Sequence, residues 1–437
     1  MTREMFATVE DTVTGKIRSM KTEPFTNFNM FVLDQNLRNN SYISLINTNV
    51  WRNSLKDEYY YTANVTATDF IFRSANNLYS ITGTAALSQK YYSNMEDEFG
   101  HSYNLRIGRT GGIFRVVYTL NGISDTFDSN DMGYLLRNNV LDNELQFSYN
   151  ITRPFWRINS TRNNIEFRYS QLYSPRVFTR SEITLTSFTT FRKFWYYNFH
   201  LEFSPSGSDD YYEPRVDGRF YHIGKELRTS LSFGSNRNKK IYTNIRGSFT
   251  KIWSAYDQKN YSISFNPGYR LSNRFSFNHQ LFYSASINDI GYVDDFDTGE
   301  IIFGKRNNMS IINTFTTSYI FTADLYLSFR LRHNWSVADY NSDYYLLNSD
   351  GSLDTKGDYS ENHDKNLNTF NIDMIFNWRF APGSDLSVVW KNSIYSDSDF
   401  IYTDFGENLS NMFNSPQINC LSLKILYYLD YQYLRKR

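Results

Sequence analysis

Leu325-Tyr-Leu-Ser-Phe-Arg-Leu-Arg-His-Asn-Trp-Ser-Val337 decides the fold. Its apolar positions are Leu325, Leu327, Phe329, Leu331, Trp335 and Val337, and between them stand Ser328, Arg330, Arg332 and Asn334. Successive side chains of a strand point to opposite faces, so the segment reads as a strand with one apolar and one polar face. Phe370 to Phe380 repeats the pattern, with Phe370, Ile372, Met374, Phe376, Trp378 and Phe380 set against Asn371, Asp373, Asn377 and Arg379. Tyr261 to Leu271 and Phe275 to Tyr283 repeat it again. Helical periodicity is weak throughout.

Three architectures produce such alternation: a soluble sandwich, a ligand-enclosing barrel, and a transmembrane barrel with its apolar side on lipid. Strand length separates them. Soluble strands average ~5–6 residues, a membrane strand needs ~9–11, and these runs are mostly about 10–15. Arg and Asp in mid-strand suit a wet lumen better than a dry core. Tyr, Trp and Phe near the run ends suit interfacial girdles.

Composition agrees. The 437 residues include 36 Phe, 36 Tyr and 7 Trp, too many aromatics for a disordered chain. Mean hydropathy is −0.54, and no run of about 18 apolar residues occurs, so no transmembrane helix is expected. Lysine plus arginine equals aspartate plus glutamate at 45 each, which offers no basic excess for nucleic acid. The lone cysteine, Cys420, excludes a disulfide framework and a cysteine zinc site. Met1 to Phe6 shows no apolar region or cleavage site of a signal peptide.

Strands are expected at 275–287, 308–321, 325–338, 366–380, 385–396 and 420–431. The connections 288–307, 339–365 and 397–419 are long, while 322–324 and 381–384 are short. Outer-membrane barrels alternate in this way, with short periplasmic turns and longer extracellular loops. Thirteen earlier strands, from 25–36 through 59–73 to 260–271, bring the total to about 18–20. Residues 1–437 thus read as one all-β, antiparallel outer-membrane β-barrel domain, with 1–24 irregular or forming partial first strands. Leu434 to Arg437 ends the chain on the periplasmic side.

Five segments carry a resemblance: Glu23-Pro-Phe-Thr-Asn27, Ser44-Leu-Ile-Asn-Thr-Asn49, Asn130-Asp-Met-Gly-Tyr-Leu-Leu-Arg137, Asn377-Trp-Arg-Phe-Ala-Pro-Gly-Ser384 with Trp390-Lys391, and Leu423-Lys-Ile-Leu-Tyr-Tyr-Leu-Asp-Tyr431. Together they resemble the outer-membrane barrel domain of unknown function found in Bacteroidetes. In that family the barrel follows a secretion signal and a carbohydrate-binding-module-like domain of the family-nine type. The resemblance implies an integral outer-membrane protein, associated with carbohydrate, of which this chain is the C-terminal part, truncated at its start.

No catalytic, cofactor-binding or metal-ligating residue is assigned, and an enzyme is not expected. His101, His200, His222, His279, His333 and His363 show no metal-ligand spacing. No GxSxG elbow, P-loop or GxGxxG occurs. Asp294, Asp295, Asp297 and Glu300 form an acidic loop that calcium could use, though the spacing is not that of an EF-hand. Ser208 to Glu213 and Ser396 to Asp399 are similar acidic segments. Tyr211, Tyr212, Tyr344 and Tyr345 are candidate sugar platforms in the loops. Arg330, Arg332 and Arg379 are candidates for a charged constriction, with a ladder of Arg–Asp or Arg–Asn pairs as the alternative.

The expected partners are outer-membrane lipid, a glycan or small solute, and a surface protein complex. The expected function is envelope transport or surface glycan handling. Its alternatives are a TonB-dependent receptor-type barrel without its plug, and a non-transporting structural barrel.

Overall fold

A computed structural model describes residues 1–12, 15–53, 61–93, 95–429 and 431. They fall into two compact units, Met1–Asn150 with Asn164–Ile183, and Ile151–Asn163 with Thr184–Arg437.

The first unit opens with a hairpin, β1 (Met5–Glu10) and β2 (Ile17–Glu23). Within the stretch expected to be irregular or to form partial first strands, Met5–Glu10 and Ile17–Glu23 pair with each other, and a single bridge from Thr2 to Thr26 leads into the sheet. An antiparallel meander follows: β3 (Thr26–Leu37), β4 (Ser41–Arg52), β5 (Tyr61–Arg73), β6 (Tyr79–Tyr92), β7 (Glu98–Arg109), β8 (Phe114–Ile123) and β9 (Val140–Ile151). β10 (Ile158–Gln171) and β11 (Phe178–Phe191) each contribute residues to both units.

The second unit continues with β12 (Tyr196–Ser204), β13 (Ser208–Asp210), β14 (Tyr221–Ile223), β15 (Lys225–Gly234), β16 (Ile241–Trp253), β17 (Lys259–Arg270), β18 (Phe275–Asp295), β19 (Ile301–Thr322) and β20 (Leu325–Leu347). Then come β21 (Leu353–Thr355), β22 (Lys365–Ala381), β23 (Ser384–Ser398), the helix α1 (Phe405–Phe413) and β24 (Gln417–Leu426). The long strands pair antiparallel from β12–β15 through β20–β22 to β23–β24.

Apart from the hairpin and the three-residue strands β13, β14 and β21, these are the strands that alternation predicts, one for one. The fold class holds at this level: the chain is all-β, and its long strands are antiparallel. The start of the expected strand 59–73 and the basic end Leu434 to Arg437 lie outside the described residues.

Two expected loops are corrected. Residues 288–307 are mostly strand, because β18 and β19 stay paired out to Asp295 and Ile301. β20 likewise runs on to Leu347 instead of ending near 338. Bulges between Ser286 and Asp289 and between Lys305 and Asn307 mark where the extension begins. Beyond them the ribbon builds its own core. Tyr221, Ile290, Ile301, Phe303 and Leu347 bury together, and Ile302, Tyr340 and Tyr344 form a second cluster. Asp294, Asp295, Asp297 and Glu300 crowd the tip of the ribbon, which is why the segment looks like loop.

The expected loop 397–419 contains α1. Asp404 caps it by accepting the Glu407 N–H at 2.8 Å. Met412 and Leu409 pack on Phe370, Ile394, Leu331 and Ile372, the apolar face of β20, β22 and β23. Asp404, Glu407, Leu409 and Met412 are a capping box followed by helically spaced apolar residues, a signal present in the sequence.

Candidate functional site: the polar face

Register converts the alternation into rows. In the first unit Asp34, Ser44, Asp69, Thr84, Asn104, Asn121 and Asp142 stand opposite one another across seven strands. One residue away the row is Ile43, Phe70, Gly83, Leu105 and Leu120. In the second unit Ser230, Ser248, Ser262, Ser284, Ser310 and Ser336 form a row of hydroxyls. Its neighbour is Leu231, Gly247, Ile263, Tyr283, Ile311 and Trp335.

Except at Trp335, which packs against Phe405 of α1, much of the apolar face is open to the surroundings. Phe233 and Ile263 are each 52% exposed, and Leu45 and Ile107 are 44% and 43%. Contiguous apolar area of this extent is a liability in water and a requirement in lipid. Neighbouring long strands such as β3–β4, β5–β6, β15–β16 and β16–β17 pair in unbroken antiparallel register, as a hydrocarbon surround demands.

The polar face carries ladders of ion pairs. In the first unit Arg168 reaches Glu144 at 3.3 Å and Glu166 at 2.9 Å, and Arg180 pairs with Glu182 at 3.1 Å. In the second, Arg228 lies between Glu226 at 2.5 Å and Glu202 at 3.2 Å. Arg332 pairs with Asp373 at 2.7 Å and Arg379 with Asp385 at 3.3 Å. Two of the three arginines considered for a constriction are thus rungs of a ladder.

A loop folds onto this face in the first unit. Residues 124–139 dock on β4 to β7 through Lys90 to Asp128 at 2.7 Å and through the Arg52–Asp131 pair. Ser88 Oγ accepts the Asp128 N–H at 3.1 Å, and Thr126 donates to the Phe99 carbonyl at 2.7 Å. Tyr61 lies under both cations, 4.9 Å from the Arg52 guanidinium and 5.2 Å from the Lys90 ammonium. Burial pushes the Asp128 carboxyl up, but the hydrogen bonds from Lys90 and Asn130 outweigh it and hold the group below the usual range. The segment Asn130 to Arg137, singled out in the sequence, is the exposed part of this loop, with Tyr134 83% exposed.

Gly100 lets the loop dock. A Cβ there would stand 2.2 Å from the Phe127 Cα. Gly100→Val is expected to weaken docking by about 1–3 kcal/mol, the usual penalty of overpacking. Trypsin should then cleave after Arg137 roughly tenfold faster or more. Equal cleavage rates in the two proteins would show that the loop is not held in this way.

The remaining candidates separate. Among the described residues, no three acidic or histidine side chains gather as a metal site. Asp294 meets the Tyr359 hydroxyl, Asp295 the Tyr292 hydroxyl and Glu300 the Lys356 ammonium. Tyr344 is buried at 3% and Tyr345 packs on Tyr256, so both belong to the ribbon's core rather than to an open platform. Tyr211 packs on Phe220, while Tyr212 remains exposed. His333 is buried on the apolar face beneath Phe405, and His279 bonds Asn313 at 3.3 Å. His222 pairs with Asp209, His200 with Glu202, His101 with Tyr173 and His363 with Tyr359.

Two solved structures are similar to the chain, at a low level. One is the outer membrane channel DcaP of Acinetobacter baumannii: 10% identity, 83% of this chain and 96% of that one covered, TM-score 0.30. The other is OmpT, an outer membrane protein of Vibrio cholerae: 9% identity, 80% and 96% covered, TM-score 0.28. No curated protein matches the sequence. The model of a domain of unknown function, DUF5916, spans residues 1–437, and the chain belongs to that family.

Proposed function

We propose that this chain is the membrane-spanning part of an outer-membrane protein that passes or handles a polar solute. A surface glycan is the class that the resemblance to the carbohydrate-associated Bacteroidetes domain favours. The carrying observation is the contrast between faces. One is apolar and exposed, and the other is lined with hydroxyls, amides and paired charges. Lipid meets the first, and water with its solutes meets the second. The short turns lie on the periplasmic side and the β18–β20 ribbon on the outside. The polar face guides a solute and performs no bond chemistry on it.

Docking of residues 124–139 on the polar face favours a second reading, a non-transporting barrel that scaffolds a surface complex. Liposome swelling with the full chain separates the two. Influx of small sugars above that of protein-free vesicles is the expected result. Absence of influx for every solute tried would reject passage and leave the scaffold.

A further inference from the structure

At the short-turn end of the second unit, β16 to β19 line a hollow of about 440 Å³ on the polar face. Its charged members are Arg237, in the turn after β15, and Arg270, at the end of β17; no carboxylate lines it. Among the described residues neither guanidinium makes an ion pair. Arg228, Arg332 and Arg379, elsewhere on the same face, are each held by a carboxylate. A second hollow, by Arg379, also contains Asp324, Asp385 and Lys424, so its charge cancels.

Neutral groups complete the wall. Tyr242 donates its hydroxyl to Asn278 Oδ1 at 2.6 Å. That bond fixes the orientation of the amide and leaves the Asn278 NH2 group as donor to the hollow. The Tyr242 ring crosses Gly268, where a Cβ would stand 2.2 Å from the ring and 2.6 Å from Asn278 Oδ1. Only glycine permits this arrangement. Asn266 Oδ1 is buried without a partner, and a buried acceptor in that state gains from a donor brought by a ligand.

The geometry points to a binding site for a small hydroxylated oxyanion, a sugar acid or sugar phosphate. Arg237 and Arg270 take its anionic group, the Asn278 amide adds a donor, and Asn266 accepts from a hydroxyl. Arginine forks match carboxylate and phosphate alike. The site rests on the reading of the polar face as the wall of an aqueous passage.

The full chain in detergent micelles, titrated calorimetrically with glucuronate, glucose 6-phosphate and glucose, tests it. Saturable binding of at least one anion, and not of glucose, is expected. The anion preferred identifies carboxylate or phosphate as the ligand chemistry. Arg237→Gln and Arg270→Gln should each weaken binding about tenfold, whereas Arg379→Gln should leave it unchanged. No binding of either anion, equal binding of glucose, or an equal loss in Arg379→Gln would overturn the site. Liposome flux is read separately. Binding without flux keeps the site and rejects the passage, and flux without binding does the reverse.

Discussion

Phe329→Lys is expected to destabilise the protein in a bilayer by about 2–4 kcal/mol, and Ser328→Lys to change almost nothing. The two residues are adjacent on β20 and differ only in the face they occupy. Phe329 stands between Thr317 and Met374, in a row one step from Leu327 and Leu331. Ser328 stands between Ser318 and Ile375 on the side that carries Arg330 and Arg332. A lysine near the middle of the apolar face must leave its ammonium in hydrocarbon or bend its stem to reach an interface. On the polar face the same ammonium is solvated. Urea unfolding from lipid vesicles, followed by tryptophan fluorescence, measures both variants. Equal losses would mean that the two faces are wrongly assigned, and the proposed function would fail with them.

That contrast was legible in the sequence because a strand with two unlike faces sorts its side chains by parity alone. From Leu325 to Val337 this rule leaves a regular record. It stops being a guide beyond the bulges, where the β18–β20 ribbon builds its own core. Ile290, Ile301 and Phe303 look like isolated apolar residues among Asp294, Asp295 and Glu300, and their pairing emerges only when Tyr221 and Leu347 arrive from distant segments. The hollow between Arg237 and Arg270 is illegible for another reason. Its members come from successive strands and turns, and cross-strand register alone brings Asn244 to Asn266 and Gly268 to Asn278. Helix α1 was readable from Asp404 and Glu407, but its docking surface was not. Asn366 and Asn368 look like polar interruptions of an apolar face until Asn408 is placed against them.

Asn408→Leu is expected to cost about 2–4 kcal/mol, through hydrogen bonding rather than shape. Asn366, Asn368 and Asn408 are all fully buried, at 0% exposure. Asn408 Oδ1 accepts from Asn366 at 3.2 Å and from Asn368 at 2.9 Å, and its amide donates to Asn368 Oδ1 at 2.7 Å. The Asn366 carbonyl oxygen is already taken by the Trp335 indole N–H at 2.7 Å. Leucine therefore leaves two buried amides without their acceptor, and its added apolar contact beside Met412 offsets only part of that loss. A second substitution separates the causes. Asn368→Leu added to Asn408→Leu removes one of the two orphaned amides, so roughly half the stability should return. If α1 were held by packing alone, the double variant would be less stable than the single one. Hydrogen exchange of the α1 amides, with unfolding in vesicles as the global measure, distinguishes these results. Recovery would mean that the three asparagines fix where the helix sits, while Leu409 and Met412 supply only its adhesion to the sheet.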